Sequence, residues 1–389
     1  MRYYINGDFM KNISKYKVDK GILITLIIFA IISILTIYSA QNLLTNDMQN
    51  LYLKQILWYS IGFVLAYLIM FIGNDIIIKK INILYIIGII LLFLVLIFGS
   101  TINEAKCWFV LPGIGNFQPS EFMKIILIIM LAKMIEKFHL EHGNPSSIEE
   151  FKFLIKVLFI VAIPSFLTFL EPDTGVVLIY LLITFVMLFI SGFRYRWFLI
   201  VISLIVIGIG SLLAIYFFNK DLFINIFGTS FFLRIDRLLD WSNGSGYQLE
   251  NGMTAIASGG LFGNGFNNTP IYFPEPQTDF IFAVFASNFG LVGATLLIGL
   301  IIYFDVKLIT TAINSNKNIN KYIIGGIIGM LIYQQFQNIG MTLGIMPITG
   351  ITLPLISYGG SSLLSYMIAI GMCFDIHRQT TIARHNAID

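Results

Sequence analysis

The chain is poor in charge. Of its 389 residues only 12% are Asp, Glu, Lys or Arg, against roughly 25% in a soluble globular domain, and this excludes an ordinary water-soluble enzyme. Cysteine is nearly absent. Cys107 and Cys373 are the only two, and on the topology derived below they fall on opposite faces of a membrane, so no disulfide between them is expected. The four histidines, His139, His142, His377 and His385, all lie in segments read as cytoplasmic. With no Cys/His metal spacing, no GxSxG and no Walker loop, zinc chemistry and ATP-driven transport lose the residues they need. No basic stripe or recognition module is present either, which argues against nucleic acid as a partner; the formal net charge of +3 reports on orientation instead.

What the chain has in abundance is apolar sequence, 57% of all residues. A hydrocarbon core of ~30 Å takes about 20 helical residues to cross. Runs of that length occur near 21–41, 51–72, 81–98, 119–137, 152–170, 175–191, 196–218, 279–303, 322–343 and 354–376. The expected fold is therefore an all-α integral membrane protein of about ten transmembrane helices, with Pro164, Pro172 and Gly175 interrupting the pattern in the middle of the series. Cytoplasmic loops retain Lys and Arg, and 18 of the 24 basic residues fall in the N-terminal segment, alternate loops and the C-terminal segment. Both termini are accordingly read as cytoplasmic. The division that follows is a cytoplasmic tail over 1–20, one transmembrane domain over 21–376 and a second tail over 377–389. The first apolar run is full length and has no small-residue cleavage site after it, so it reads as a retained helix and not as a cleaved signal.

Three connections are long. Residues 99–118 form an outer segment, 138–151 (FHLEHGNPSSIEEF) a solvated cytoplasmic connector, and 219–278 a large extracellular loop between helices seven and eight. Long ordered loops usually carry function. Within the third, NGMTAIASGGLFGNGF (251–266) reads as a short helix ended by glycines; with no preceding strand its glycines are a weak nucleotide signature.

Polar residues in so apolar a chain stand out. Asp279 sits in PEPQTDFIFA (274–283), where polar loop gives way to apolar run. It reads as a first-turn acid behind an N-cap Thr278, or as a general base, with Glu275 four residues earlier and two prolines stiffening the approach. Glu121 and Lys124, in QPSEFMK (118–124), share a helix face. Near the helix start Lys124 would snorkel outward while Glu121 pairs with it, as an anchor or as part of a site. Glu171 and Asp173, in LEPDTG (170–175), occupy a very short outer turn for which Pro172 and Gly175 are sufficient reason, or they belong to a functional site. Lys106, Arg234 and Arg237 are rare outer cations, suited to pairing with nearby acids or to clamping phosphate. MPITGITLPLISYGGSS (346–362) has the small residues and prolines of close helix contact beside a cavity.

In their order along nearly the whole chain, QPSEFMK, LEPDTG, GYQ with AIASGGLFGNGF, PEPQTDFIFA and GIMPITGITLPLISYGGSS resemble the SEDS family, the RodA, FtsW and SpoVE type of bacterial peptidoglycan polymerase. The resemblance implies a ten-helix membrane glycosyltransferase that polymerises lipid II, a disaccharide-pentapeptide on undecaprenyl pyrophosphate, by inversion at the outer face of the cytoplasmic membrane. It also implies a class B penicillin-binding protein as partner. On the family's pattern Asp279 matches the essential acid of the large loop, Glu121 and Lys124 match polar residues lining a central cavity, and Trp108 matches the tryptophan ahead of QPSE. Glu275, Ser258 and Ser361, in or beside the matching blocks, join the cavity candidates. A sugar hydroxyl must lose a proton and a pyrophosphate must leave, so Asp279 is the expected base, with Lys106, Lys124, Arg234 and Arg237, or a divalent cation such as Mg or Mn, neutralising the leaving group. The chain departs from the pattern at Gln277, where a His is usual, at Ser287 and Asn288 in place of an acidic pair, at Cys107 in place of an Arg, and in reduced Asp-Pro repeats ahead of GYQ. Two other readings stay open: a lipid II flippase, and a noncatalytic scaffold for the penicillin-binding protein.

Overall fold

A computed structural model describes residues 18–44, 50–102, 105–111, 115–229, 231–232 and 246–385. The apolar runs are helical because, in hydrocarbon, each backbone N–H and C=O must be satisfied within its own segment. In chain order they are α1 (Lys20–Ala40, continued by a 3-10 turn at Gln41–Leu43), α2 (Leu51–Ile72), α3 (Asn74–Phe98), α4 (Pro119–Glu141), α5 (Ser147–Leu170), α6 (Thr174–Ile190), α7 (Tyr195–Phe218), the short α8 (Lys220–Phe227) and α9 (Tyr247–Ser258), then α10 (Ile281–Asn314), α11 (Asn318–Thr342) and α12 (Gly360–His385). By length and composition six of them can cross a membrane: α1 with its 3-10 turn, α2, α3, α5, α7 and α10. The chain is an all-α membrane protein.

The remaining long helices α4, α11 and α12 are more polar because they face protein and not lipid. Glu121 and Lys124 of α4, Gln334 and Asn338 of α11, and Ser365 and Asp375 of α12 are all buried. α4 touches α3, α5, α6, α11 and α12. α2 and α12 pack backbone to backbone: a Cβ on Gly371 would lie 2.6 Å from the Ala66 carbonyl oxygen, and one on Gly62 would lie 2.7 Å from Met367 Cγ. α1 meets α10 through Phe29 and Phe304, edge to face at 5.5 Å.

Several boundaries differ from the sequence reading. Between 99 and 118, expected as loop, lies an antiparallel sheet of β1 (Ser100–Ile102), β2 (Ala105–Leu111) and β3 (Gly115–Phe117), with Phe109 opposite Phe117. Those strands are too short for a periodic signal. The connector expected over 138–151 shrinks to 142–146, since α4 runs to Glu141 and a capping box starts α5: Ser146 Oγ accepts from the Glu149 N–H at 3.3 Å, and Glu149 Oε2 accepts from the Ser146 N–H at 2.7 Å. α5 continues through Pro164. The final helix starts at Gly360 and not near 354, because Pro354, Leu355 at φ 65° and Gly350 at φ 70° hold residues 346–359 out of helix. That irregular segment, the sheet, the 171–173 turn and the residues ahead of α10 lie together at one end of the bundle, and they build the site.

Candidate functional site

A cavity of about 300 Å³ opens at that end, and Trp108, Glu121, Asp173, Glu275, Asp279 and Tyr358 are among its walls. Four acids from three separate chain segments thus face one space. Asp279 is not in the first turn of α10: the helix begins at Ile281, its N-cap is Phe280, and Thr278 Oγ1 donates instead to Glu275 Oε2 at 2.8 Å. The helix-capping account of this acid is therefore overturned.

What holds Asp279 is its backbone. Asn338 Nδ2 donates to the Asp279 carbonyl at 2.8 Å and to the Ile351 carbonyl at 2.7 Å. Ser357 Oγ donates to the Thr278 carbonyl at 2.6 Å and accepts from the Leu353 N–H at 2.8 Å. The Tyr358 N–H donates to the Gln277 carbonyl at 2.9 Å. Residues 346–359 and α11 thus clamp the 277–279 backbone from two sides and leave the carboxylate to the cavity. Gly350, in the left-handed region, lets the clamping segment pass that carboxylate, since its absent Cβ would stand 3.6 Å from Asp279 Oδ2. Glu275 adopts φ 52°, a backbone state a non-glycine residue keeps only when its surroundings enforce it. Here the Glu275 carboxylate is fixed from Thr278 and from Gln277 Nε2 at 3.1 Å.

Among the described residues the Asp279 carboxylate has no hydrogen bond and no ion pair. Burial, then the negative charges of Glu275 and Asp173, push its pKa up to about 7. Asp173 is raised to about 6, by burial first and then Glu121, against the opposing Val176 N–H, Lys124 and Gln118. Its Oδ1 caps α6 by accepting from Val176 N–H at 3.1 Å, and its Oδ2 accepts from Gln118 Nε2 at 2.8 Å. Behind it Glu171 is wholly buried with both carboxyl oxygens unpartnered, and is raised to about 9 by burial and by Asp173. It is a neutral acid at pH 7. From the sequence Asp173 reads first as a turn residue and second as a site residue; the signal that favours the site is its Gln118 partner, contributed from a different helix start.

Glu121 and Lys124 form an ion pair at 2.7 Å. The expected snorkelling does not occur: Lys124 is 0% exposed, and its ammonium lies 5.1 Å from the centre of the Tyr366 ring. α4 is an interior helix, so the lysine has no lipid-facing path to water. Glu121 reaches the cavity and Lys124 backs it from below.

Other candidates sit elsewhere. Lys106 Nζ donates to the Ile97 carbonyl at 3.0 Å, at the end of α3. Ser361 Oγ donates to the Asn116 carbonyl at 2.9 Å and accepts from the Gln118 N–H at 3.0 Å, tying β3 to α12; its neighbour Ser362 lines the cavity in its place. Ser258 Oγ donates to the Ala255 carbonyl at 2.7 Å and accepts from Asn264 Nδ2 at 2.9 Å at the end of α9. Arg234 and Arg237 lie outside the described residues. Of the departures from the family pattern, Cys107 lines the cavity, its buried thiol pushed up by burial and by Asp173, Glu171 and Glu121. Ser287 and Asn288 instead face packing: Asn288 Nδ2 donates to Ser39 Oγ at 2.6 Å and Oδ1 accepts from Thr269 at 3.0 Å.

The glycine-rich loop after α9 is a clasp. α10 is broken at Gly290 (φ 66°, ψ −167°), which frees backbone groups of the first turns. The Asn264 N–H donates to the Ser287 carbonyl at 2.9 Å, and the Leu291 N–H donates to the Gly260 carbonyl at 2.9 Å. A Cβ on Gly263 would stand 2.1 Å from the Asn288 carbonyl oxygen, and one on Gly290 2.4 Å from the Gly263 nitrogen. The glycines permit backbone contact; they do not form a phosphate loop.

For a divalent ion the residues give no complete cage: among the described residues no three His, Cys, Asp or Glu side chains converge to hold a metal. Octahedral Mg is usually held by one or two carboxylates alongside substrate phosphates and water, so one or two carboxylates of this acidic wall would suffice as the protein's ligands.

The family model FTSW_RODA_SPOVE, described as cell cycle protein, matches residues 19–382. A probable peptidoglycan glycosyltransferase FtsW of Coxiella burnetii is 35% identical over 294 residues, covering 72% of this chain and 73% of that protein. Peptidoglycan glycosyltransferase MrdB of Escherichia coli is 31% identical over 370 residues, 93% of this chain and 94% of its own. Among solved structures, one described as structural coordination of polymerization and crosslinking by a peptidoglycan synthase complex is similar at a TM-score of 0.76 and 27% identity, covering 93% of this chain and 98% of that one.

Proposed function

Because the chain belongs to the FtsW, RodA and SpoVE family of cell cycle proteins, we propose that it is a peptidoglycan glycosyltransferase that joins lipid II units into glycan strands at the outer face of the cytoplasmic membrane. The observation that carries the reading is the Asp279 carboxylate, on an acidic cavity wall with no hydrogen bond or ion pair among the described residues and raised to about 7. A general base works best with a pKa near the operating pH.

In the reaction the 4-hydroxyl oxygen of one sugar attacks the anomeric carbon of another. The new C–O bond forms as the bond from that carbon to pyrophosphate breaks; the electron pair leaves with pyrophosphate, and the hydroxyl proton passes to Asp279. Clamping of the 277–279 backbone by Asn338, Ser357 and Tyr358 supports a fixed carboxylate, and fixed geometry lowers the barrier. Trp108 and Tyr358 offer apolar faces for sugar rings. Lys124 is buried and already paired with Glu121, so Arg234 and Arg237 of the large loop are the better candidates for the departing pyrophosphate. A divalent ion carried in with pyrophosphate would add charge neutralisation there, drawing one or two carboxylates from the protein. The similarity to a synthase complex of polymerisation and crosslinking supports a class B penicillin-binding protein as partner.

The reading is tested by incubating the purified protein with lipid II, alone and with such a partner, in the presence and absence of EDTA. A polymerase yields a ladder of glycan products that a muramidase digests. Transfer of labelled lipid II across vesicles without any polymer would make it a flippase. Wall growth supported without either activity would make it a scaffold.

A further inference from the structure

Behind Asp173, five side-chain oxygens are sealed in the protein without a hydrogen-bond partner among the described residues: Ser120 Oγ of α4, Ser165 Oγ and Thr168 Oγ1 of α5, and both carboxyl oxygens of Glu171. Ser120, Thr168 and Glu171 are 0% exposed and Ser165 is 9% exposed. Buried polar groups are ordinarily paired, so a group of orphans in one place needs a cause.

The fold gathers them. Ser165 and Thr168 share a face of α5 at i and i+3, and Glu171 follows as the residue that ends that helix. The Tyr180 hydroxyl of α6 lies beside Thr168 and Glu171 and donates to the Ser120 carbonyl at 2.9 Å. The Thr168 carbonyl accepts from the Glu171 and Asp173 N–H groups at 3.2 and 3.3 Å, which fixes the turn over the group. Oxygens that are neighbours, cut off from solvent and not bonded to one another have the spacing that a bridging atom closes.

Charge chooses that atom. The last carbonyls of a helix carry partial negative charge and favour a cation, and this group stands at the end of α5. Glu171, Asp173 and Asp279 have no ion pair among the described residues, while Lys124 is already held by Glu121 at 2.7 Å. Water would satisfy the hydroxyls and leave that acidic field uncompensated; a cation answers both. One carboxylate among neutral oxygens matches a single positive charge. Mg²⁺ keeps several waters, which a sealed site does not supply, whereas helix C-terminal ends and carbonyls hold Na⁺ in transporters.

We propose that Glu171, Thr168, Ser165 and Ser120 bind one monovalent alkali cation, sodium or potassium, that braces the acidic cavity from behind. The ion takes the place of the proton that Glu171 otherwise carries at pH 7. It joins α4, which positions Glu121, to the turn between α5 and α6, which positions Asp173.

The test is thermal unfolding of the purified full chain in detergent, in sodium, potassium or N-methylglucamine chloride at equal ionic strength. An alkali ion is expected to raise the unfolding temperature by roughly 2–4 °C for each tenfold increase above half-saturation, and the stronger response identifies which ion; N-methylglucamine, too large for the site, gives none. Glu171→Gln keeps the shape and the neutral state, so it is expected to fold and to lose the response. Thr168→Val keeps the carboxylate and raises the half-saturating concentration about tenfold. Identical curves in the three chlorides, or an alkali response that survives in Glu171→Gln, would overturn the proposal and leave the group to water. Stability in salts is the readout, so a failed ion response and a failed polymerase reading stay distinguishable.

Discussion

Asp279 owes its basicity to its surroundings: burial first, then the carboxylates of Glu275 and Asp173. A like charge disfavours the ionised form and raises the pKa, so removing one lowers it. Since a base acts only when deprotonated, initial rates of glycan synthesis between pH 5 and 9 are expected to rise through about pH 7. In Glu275→Gln, which keeps an acceptor for Thr278, that rising limb moves to lower pH; an unmoved limb would show that Asp279 is not the group that titrates. The Glu121 and Lys124 pair makes a different prediction. Removing one partner of a buried pair strands a charge at a cost of about 3–5 kcal/mol, whereas replacing both by apolar groups is often neutral or stabilising. Thermal unfolding in detergent should therefore drop sharply for Lys124→Met alone and recover in Glu121→Leu with Lys124→Met. Additive losses in the double variant would contradict the pairing.

At the scale of elements, the site depends on two irregular segments that hold helices in unusual places. One is the 259–265 loop, clasped into the break of α10 at Gly290. Gly263→Ala puts a side chain at φ 86° and 2.1 Å from a carbonyl oxygen, a backbone strain worth about 1–3 kcal/mol before the clash is counted. The variant is expected to unfold at lower temperature and lose most polymerising activity, checked by unfolding curves and product length; a wild-type profile would remove the clasp from the account. The other segment is 346–359. Its prolines and small residues announce a break, and the sequence reading assigned it to architecture, but not its hold on residues 277–279, which exists only once Asn338 and Ser357 are brought there by the fold. The same limit explains the sheet at 100–117, with strands too short for periodicity, and the kink in α10, where only Gly290 of the three glycines in an apolar run leaves the helix. Helix existence was legible because long apolar runs leave few alternatives; helix ends were not, because they are set by contacts between segments distant in sequence. Asp279 and Glu121 could be picked as candidates because a charged residue in so apolar a chain is conspicuous, and Trp108 only through the family pattern, whereas Asp173 looked first like a turn acid.

Across the whole molecule the polar groups are segregated by depth. Interior helices α4, α11 and α12 carry many of the buried polar side chains, while α7 meets its surroundings with only Phe198 and Tyr216 buried. The acidic cavity lies at one end and the Lys and Arg excess at the other, which agrees with a substrate met at the outer surface and a membrane held by its inner charges. The central claim is that one carboxylate in that acidic cavity takes the proton of the attacking hydroxyl. Its most direct test is the glycan product of Asp279→Asn, purified beside wild type and given lipid II. Asparagine has nearly the same shape and cannot accept that proton as a base, so the account predicts an unchanged unfolding temperature and no polymer. Glycan chains of wild-type length and rate from Asp279→Asn would contradict it.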